Sequence, residues 1–382
     1  MRRYQGLLFF LCFFSTKGWT YPTYIAKGYT QCASCHYNPN GGGLRNSYGF
    51  ATQSATFPDD INNSFLASVR EALQKNDVTG YNSEGDHKLQ WDVGLDTRLA
   101  LLNAESGSDD GDGGSNRAYA FFPMLVEVGG VMAYGPWMVY GSVTPRRAGS
   151  SKRPDTFFSR EHWLGYNLGT QSKLRIGRMV MPFGIRQPDH TLYTREELGL
   201  NKWDQTYGLQ WDYYNQHWMV SAMGFVGDLL LDPKDYQQRG GAISVSYSIA
   251  SKASMGISMR ASKSEYLRVI AGSLFSRATF LKRMYVMEEV ALQQESSSEN
   301  LGNTNTLATS FRTGIFPLES LDLYLEIAHR KVLDKNELEK TRYALGSQWQ
   351  ILPWVELIPV VYFEDTQPRN FITFLAQMHI VF

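Results

Sequence analysis

Leu89-Gln90-Trp91-Asp92-Val93-Gly94-Leu95-Asp96-Thr97-Arg98-Leu99 places apolar residues at odd positions and polar residues or glycine at even positions, with Thr97 as the one exception. The same period of two returns in the segments 207–213, 243–249 and 255–260. Because successive side chains of a β-strand point to opposite faces, each segment predicts a strand that faces two different environments. From Lys88 onward the chain is therefore predicted to be all-β.

Two all-β architectures compete, a soluble sandwich and a membrane barrel. Strands of a sandwich typically have five or six residues, whereas transmembrane strands need about 9 to 11, and many segments here reach ten or more. Long polar links such as 106–116 and 184–202 alternate with short ones such as 135–136 and 215–216, as in outer-membrane barrels. We predict a transmembrane antiparallel β-barrel of about sixteen strands over residues 87–382. Its predicted strands include 155–169, 266–275 and 280–294.

The polar face of these strands should line the lumen of the barrel. Alternation predicts ten inward charges of both signs, which a water-filled or plugged lumen explains without any claim of ion selectivity. They are Asp92, Asp96, Arg98, Arg175, Asp212, Arg260, Arg312, Asp322, Glu326 and Arg342.

Composition agrees with β structure that is rich in turns and aromatics. The 382 residues include 34 Gly, 22 Tyr, 21 Phe and 9 Trp, and only 19% are charged. Formal net charge is zero, so nothing in the composition indicates a nucleic-acid partner.

Residues 1–20 have the features of an export signal. Arg2 and Arg3 precede the apolar run Leu7–Ser15, and Gly18-Trp19-Thr20 is an acceptable cleavage site. The run is too short to span a bilayer. Export from the cytoplasm is consistent with the cysteine-containing motif at residues 32–36.

The motif Cys32-Ala33-Ser34-Cys35-His36 has the spacing of c-type haem attachment. Its two cysteines can form thioethers with the haem vinyl groups while the histidine ligates the iron. A structural zinc site would need a second pair of cysteines, and a thioredoxin-like pair would need a βαβ context, and the sequence has neither. We predict one covalent haem c, held by Cys32 and Cys35 with His36 as the proximal iron ligand.

Residues 21–86 are expected to form the haem attachment segment. Apolar residues from Ile61 to Leu73 recur at helical spacing, which predicts an amphipathic helix near 60–76. Its apolar face should pack on the haem or the adjoining chain, and membrane-surface binding is the less favoured alternative because the polar face has few Lys or Arg.

The C-terminal strand carries a resemblance. Ile372, Phe374, Ala376, Met378, Ile380 and Phe382 form one apolar face that ends on an aromatic residue. This resembles the last strand of bacterial outer-membrane proteins, and Gly177–Gly184 is similar, more weakly, to a strand-and-loop motif of porins. The chain thus resembles an outer-membrane porin-like β-barrel with an N-terminal monohaem c-type cytochrome motif. The resemblance implies the bacterial outer membrane, with the haem segment on the periplasmic side or in the lumen.

The sequence leaves several possibilities for the second axial ligand of the iron. Between residues 21 and 86 there is no methionine and no histidine except His36, so a strong ligand would come from His87, from the barrel, or from nothing. In the barrel, alternation puts His379 on the lumen face near the periplasmic end, and His217 lies at a turn. The alternative is that His379 is an ordinary lumen residue with hydrogen-bond partners.

These features favour a c-type haem protein that takes part in electron transfer at or across the outer membrane. It would contact outer-membrane lipid and exchange electrons with periplasmic or surface cytochromes. The alternative is a porin-class solute channel whose N-terminal haem segment acts as a plug. A haem enzyme such as a peroxidase would need a distal acid–base constellation, which the sequence lacks, so we expect no catalyst.

Overall fold

The computed structural model describes most of the barrel and a short part of the N-terminal segment. The described residues are 32–39, 41, 43–46, 48–49, 52 and 88–381, the last range with gaps at 108–114, 146–156, 188, 190, 201–203, 230–236, 251, 282, 298–301, 335–338, 353 and 367–369. The predicted export signal at 1–20, the predicted helix at 60–76, His87 and Phe382 lie outside these residues.

The fold is a closed antiparallel β-barrel of sixteen strands, as predicted. The strands are β1 Gln90–Gly107, β2 Ser115–Tyr134, β3 Trp137–Pro145, β4 in two segments Phe157–Phe158 and His162–Asn167, β5 Ser172–Val180, β6 Gln205–Tyr214, β7 Trp218–Gly227, β8 Arg239–Ala250, β9 Ala253–Lys263, β10 Leu267–Phe280, β11 Met284–Ser297, β12 Asn303–Leu318, β13 Leu321–Val332, β14 Glu339–Leu352, β15 Val355–Asp365 and β16 Asn370–Val381.

Closure depends on the first strand. β1 pairs with β2 along its length, and it also pairs with β16 from Asp96 opposite Val381 to Glu105 opposite Ile372. This pairing closes the described sheet into a barrel, and closure satisfies backbone hydrogen bonds inside a bilayer. One end of the barrel carries the short turns, and we call it the turn end; the other carries the longer connections, and we call it the loop end.

The distribution of side chains is that of a membrane barrel. Outward residues at mid-strand are apolar and exposed, such as Leu274 at 65%. Inward residues are polar and buried, such as Asp212 at 1% and Glu289 at 0%. Exposed aromatics lie near both ends of β2, with Tyr119 and Phe121 toward the loop end and Tyr134 at the turn end. This outward surface is suited to lipid contact.

The structure differs from the predicted strands in two places that matter for the lumen. The predicted strand 155–169 is interrupted, because Arg160 and Glu161 are consecutive and both buried. The predicted strand 266–275 is too short, since β10 continues to Phe280 and the turn follows at Leu281, which has a positive φ of 53°. Both differences place charged side chains inside the barrel.

Residues 181–200, which connect β5 to β6, fold into the barrel, and we call them the inner loop. They include the one-turn helix α1, Tyr193–Glu196, and buried apolar residues such as Phe183 and Leu192. Arg195 pairs with Glu289 on β11 at 3.1 Å, and Arg342 on β14 pairs with Asp189 at 3.3 Å. The sequence predicts an outer connection here, whereas its apolar residues and ion pairs hold it against the far wall. Among the described residues, no helix has the length and apolar character needed to cross a membrane.

Candidate functional site in the barrel lumen

The Cys-x-x-Cys-His motif forms a tight turn. Residues Cys32–Ser34 are a 3₁₀ helix, and the amides of Cys35 and His36 donate to the Cys32 carbonyl at 3.1 and 3.0 Å. Both cysteines are free thiols. The turn therefore presents two thiols and an imidazole from five consecutive residues, which is the donor set that the sequence predicts for a covalent haem.

His36 has the electronic state that an iron ligand requires. Its backbone forms an isolated antiparallel bridge with Arg45. Loss of solvent inside the barrel, reinforced by the positive charges of Arg45 and Arg186, lowers the pKa of His36 to about 3. The imidazole is therefore neutral near pH 7, and its buried Nδ1 has no hydrogen-bond partner. A neutral imidazole is the form in which histidine ligates a metal ion.

The two residues after the motif bind the barrel wall. Asn38 donates to Glu161 Oε2 at 3.0 Å and accepts from Arg175 Nη1 at 3.0 Å. The Tyr37 hydroxyl donates to Asp92 Oδ2 at 3.0 Å. These partners are buried lumen side chains from three parts of the sheet. Hydrogen bonds to charged groups are each worth about 1.5–3 kcal/mol when buried, so they fix this part of the segment to the wall.

Leu44 adds an apolar contact with the wall. A Cβ built on Gly129 would lie 3.1 Å from Leu44 Cγ, so glycine at 129 allows the leucine to approach the sheet. Tyr140 stands beside Gly129 and stacks on Trp163 with ring centroids 5.2 Å apart. Leu44 is 5% exposed, and it therefore packs as a core residue between the segment and the wall.

The inner loop also contacts the N-terminal segment. Arg186 donates to the Gly41 carbonyl and pairs with Glu161 Oε1 at 3.0 Å. Glu161 thus binds Asn38 of the segment and Arg186 of the loop at once. We call the described residues from Cys32 to Thr52 the plug segment, because their wall contacts lie inside the barrel.

The residues of the plug segment fit a c-type haem. Gly41 and Gly49 pack directly on the two cysteines, since a Cβ at 41 would lie 3.1 Å from Cys32 Sγ and a Cβ at 49 would lie 2.3 Å from the Cys35 carbonyl. Burial raises the pKa of the Cys32 thiol, while Arg277 and Arg186 oppose that rise. Cys32 and Cys35 would hold the group covalently, and His36 would ligate its iron. Within the described part of the chain, no cluster of three or more His, Cys, Asp and Glu side chains is arranged to hold a bare metal ion.

The candidates for the second axial ligand differ in their surroundings. His379 is buried, and its two ring nitrogens lie 3.1 Å from Glu356 Oε2 and 3.0 Å from Asp96 Oδ1. Ligation of iron by His379 would break one of these bonds. His217 lies at the turn end, where Nδ1 is 3.2 Å from the Ser248 carbonyl. His87 is outside the described residues. Both ring nitrogens of His379 and Nδ1 of His217 therefore already have partners.

Three lumen residues near the motif are absent from the ten inward charges that the sequence predicts. Glu161 is missed because the break in β4 interrupts the alternation. Arg277 is missed because the predicted strand ends at residue 275, although Phe275, Arg277 and Thr279 continue the alternation and could have extended the strand. Arg186 lies in the inner loop, and no pattern in the sequence predicts that its side chain faces the lumen. The ten predicted residues do face the lumen, and pairs such as Arg175–Asp212 at 2.9 Å balance their charges.

Solved structures of bacterial outer-membrane channels have the same fold. The chain is similar to an anion-selective porin from Comamonas acidovorans, with a TM-score of 0.58, 10% identity, and coverage of 77% of this chain and 100% of the porin. It is similar to the outer membrane channel DcaP of Acinetobacter baumannii, with a TM-score of 0.57, 12% identity, and coverage of 79% and 100%. It is also similar to a loop-deletion mutant of the Vibrio cholerae outer membrane protein OmpT. The TM-score is 0.59, the identity is 11%, and the match covers 77% of this chain and 99% of the OmpT chain. No protein-family model and no curated protein sequence matches the chain.

The fold and the inward polar face together define a porin-like β-barrel, the fold of the outer-membrane channels named above. At 9–12% identity the likeness concerns the fold alone. It covers 77–79% of this chain in the three structures named above.

Proposed function

We propose that this protein is a porin-class solute channel of the outer membrane whose lumen is plugged by its N-terminal segment, with one haem attached covalently to Cys32 and Cys35. The sequence ranks electron transfer first and the plugged channel second. The solved structures of this fold include a porin and an outer-membrane channel, which supports the reverse order. The observation that carries the proposal is Asn38 held between two buried lumen charges, Glu161 and Arg175.

The channel proposal is tested by current through planar bilayers. Wild-type protein should conduct, with a reduced current because the plug segment occupies part of the lumen. Asn38→Leu removes both wall bonds of Asn38, which costs about 1.5–3 kcal/mol per bond to a charged group. Its mean current should therefore be larger and less steady.

Asn305→Leu is the matched control, because Asn305 bonds to Asp334 near the loop end, away from the plug segment. Its current should equal that of the wild type. If neither wild type nor Asn38→Leu conducts, the channel proposal is wrong.

The haem is tested separately by chemistry. Thioethers survive denaturation, so haem-dependent peroxidase staining should remain with the wild-type band on a denaturing gel. The stain should vanish in the Cys32→Ala, Cys35→Ala double variant. Absence of stain in correctly exported wild type, or its survival in the double variant, would contradict the assignment.

Electron transfer remains the second candidate, because it is the function to which a covalent haem within the barrel is best suited. The donor and acceptor would be cytochromes at the two membrane faces. A single haem near one end leaves much of an apolar band about 25 Å tall uncrossed, so a partner would complete the path. In liposomes with oriented protein, haem reduction by an impermeant reductant from either side, without solute current, would favour this candidate over the channel.

A further inference from the structure

One part of the lumen wall is apolar. Arg98 on β1 points into the lumen, so the alternation places Ala100 and Leu102 on the same inward face. Residues that lie directly opposite each other on neighbouring strands share a face. Phe122 on β2 lies opposite Ala100, and Leu375 on β16 lies opposite Leu102. These residues and the apolar neighbours that pack on them form a surface that we call the lumen patch. Its members are Ala100, Leu102, Phe122, Met124, Ala344, Val360, Tyr362 and Leu375.

The lumen patch is set apart from the plug segment and the inner loop. Its buried residues form a cluster of their own, whereas Leu44 of the plug segment and Leu192 of the inner loop belong to a different cluster. On β2 the plug segment meets the wall at Gly129. Phe122 lies seven positions further toward the loop end, about 24 Å along the strand.

The surroundings of the patch favour a partner with an apolar surface. The patch lies in a lumen that is otherwise lined by polar side chains. Its larger side chains, such as Leu102 and Phe122, are half-buried, whereas an outward leucine such as Leu274 is exposed. Removing apolar surface from water is worth about 25 cal/mol per Å², so covering the patch would stabilise whatever covers it.

Residues 60–76 have a surface that matches the patch. The apolar positions of the predicted helix recur at every fourth residue, at Ile61, Phe65, Val69 and Leu73. The resulting helix face is about 18 Å long at 1.5 Å per residue. The patch extends over β15, β16, β1 and β2, and it is therefore about 14 Å wide. The two surfaces are similar in size and in chemistry.

The connections beside the patch offer no such surface. Residues 108–114 join β1 to β2, and residues 367–369 join β15 to β16. Both sequences lack a large apolar side chain. Neither connection can therefore cover the patch with apolar area.

The chain is long enough to bring residues 60–76 to the patch. Thr52 is buried in the plug segment, and Lys88 precedes β1 at the turn end. Ala100 lies twelve positions from Lys88 along β1, about 40 Å. Residues 77–87 can span about 36 Å at 3.3 Å per residue, and half of a helix over 60–76 adds about 13 Å. The centre of this helix can therefore reach the patch.

We propose that the lumen patch is the docking site for the apolar face of residues 60–76. The inference rests on the plug of the proposed function, and it does not depend on the haem. It assigns two attachments to the N-terminal part of the chain. One is polar, from Asn38 to Glu161 and Arg175, and the other is apolar, on the strands around Ala100.

Photo-crosslinking of the full-length protein tests the docking site, with p-azidophenylalanine in place of Phe122. Illumination should join this position to a residue between 60 and 76, which mass spectrometry of the peptides identifies. Phe121 is the matched control, because it is the preceding residue of β2 and its side chain is exposed on the outer surface. The same amino acid in place of Phe121 should give no product with residues 60–76.

Three results at Phe122 would overturn the docking site. A product with the haem would make the haem the occupant of the patch. Products with detergent or water alone would mean that the patch faces an open passage for solutes. A product with any other segment of the chain would name a different cover.

A third position separates this inference from the plug itself. The Tyr140 hydroxyl lies 2.6 Å from a Cβ built on Gly43, so p-azidophenylalanine in place of Tyr140 should join to the plug segment. If position 140 joins to the plug segment while position 122 does not join to residues 60–76, the plug stands and the docking site is wrong. If neither product forms, the plug of the proposed function fails, and the inference fails with it.

Phe65→Ser gives a second readout. Loss of the ring from the docked face should speed cleavage by trypsin after Arg70 in the folded protein by about tenfold or more, because a buried phenylalanine contributes strongly to local stability. Asn63→Ser is the matched control, since position 63 lies on the opposite side of the predicted helix, and its cleavage rate should equal that of the wild type. Equal rates in Phe65→Ser and Asn63→Ser would contradict the docking site.

Discussion

At the residue scale, the lumen is organised by buried charges that each have specific partners. Glu161 is 2% exposed and accepts from Asn38 and Arg186, which belong to different segments of the chain. A buried carboxylate without such donors would be strongly destabilising. The plug segment, through Asn38, and the inner loop, through Arg186, therefore both stabilise the buried carboxylate of Glu161.

His379 gives a prediction at this scale. One ring nitrogen bonds to the buried carboxylate of Glu356 and the other to the half-buried carboxylate of Asp96, so both nitrogens already have partners. His379→Ala should leave the visible haem spectrum unchanged. It should lower barrel stability by about 3–5 kcal/mol, the usual cost of leaving a buried charged partner uncompensated.

Visible spectroscopy and urea unfolding of the detergent-purified protein check both parts. His329→Ala, near the loop end, is the control and should change neither the haem spectrum nor the stability of the barrel. A conversion of the oxidised His379→Ala spectrum from low spin to high spin, with haem still attached, would show that His379 ligates the iron.

At the element scale, the inner loop is held across the lumen by polar anchors rather than by strand pairing. Burial tends to raise the pKa of Asp189, but the ion pair with Arg342 and the hydrogen bonds from Thr191 outweigh it and hold the pKa below its ordinary value. A depressed carboxyl pKa stabilises the folded state above the ordinary value of about 3.9, and that stabilisation is lost as the pH falls below it.

Asp189→Asn should loosen the loop at neutral pH. Loss of the charged partner costs about 1.5–3 kcal/mol, which corresponds to roughly ten- to hundredfold faster hydrogen exchange of the amides of Arg195 and Leu200 if they exchange by local opening. In wild type, the same amides should lose protection below about pH 4, after correction for the intrinsic rate.

Asp334→Asn, at an exposed connection near the loop end, should leave this exchange unchanged. Equal protection of the inner loop in Asp189→Asn and wild type would mean that the apolar residues, such as Phe183 and Leu192, hold it without the ion pair.

Elements with strict alternation could be predicted from the sequence, and those without it could not. The strands over 89–99 and 207–213 are recognisable from the sequence because one face contacts lipid and the other faces the lumen. The break at Arg160 and Glu161 is not recognisable, since both charged side chains point inward and pair with residues far away along the chain. The position of the inner loop could not be predicted for the same reason. Its apolar residues pack against strands that are distant in the sequence.

At the scale of the whole molecule, the barrel follows from the sequence while the arrangement of its lumen does not. Strand number, closure and lumen-facing charges depend on local periodicity, so they were predictable. Cys32, Cys35 and His36 were predictable as a motif. The wall residue Glu161 and the loop residue Arg186, which bond to this segment, were not, because these contacts join residues more than a hundred positions apart.

The central claim is that the N-terminal segment lies inside the barrel, and a disulfide tests it most directly. Leu44 Cγ, near which a cysteine sulfur at 44 would sit, is 3.1 Å from a Cβ built on Gly129, which suits a disulfide. The pair Leu44→Cys and Gly129→Cys is made on a Cys32→Ala, Cys35→Ala background, so that the native thiols do not compete. Gly141→Cys replaces Gly129→Cys in the control, because Gly141 faces outward into open space.

We predict that the 44–129 pair oxidises to a reducible cross-link, seen as a mobility change on a denaturing gel, and that the 44–141 pair does not. A Gly129→Cys thiol that stays reduced and reacts freely with a water-soluble maleimide in the folded 44–129 variant would contradict the plugged lumen.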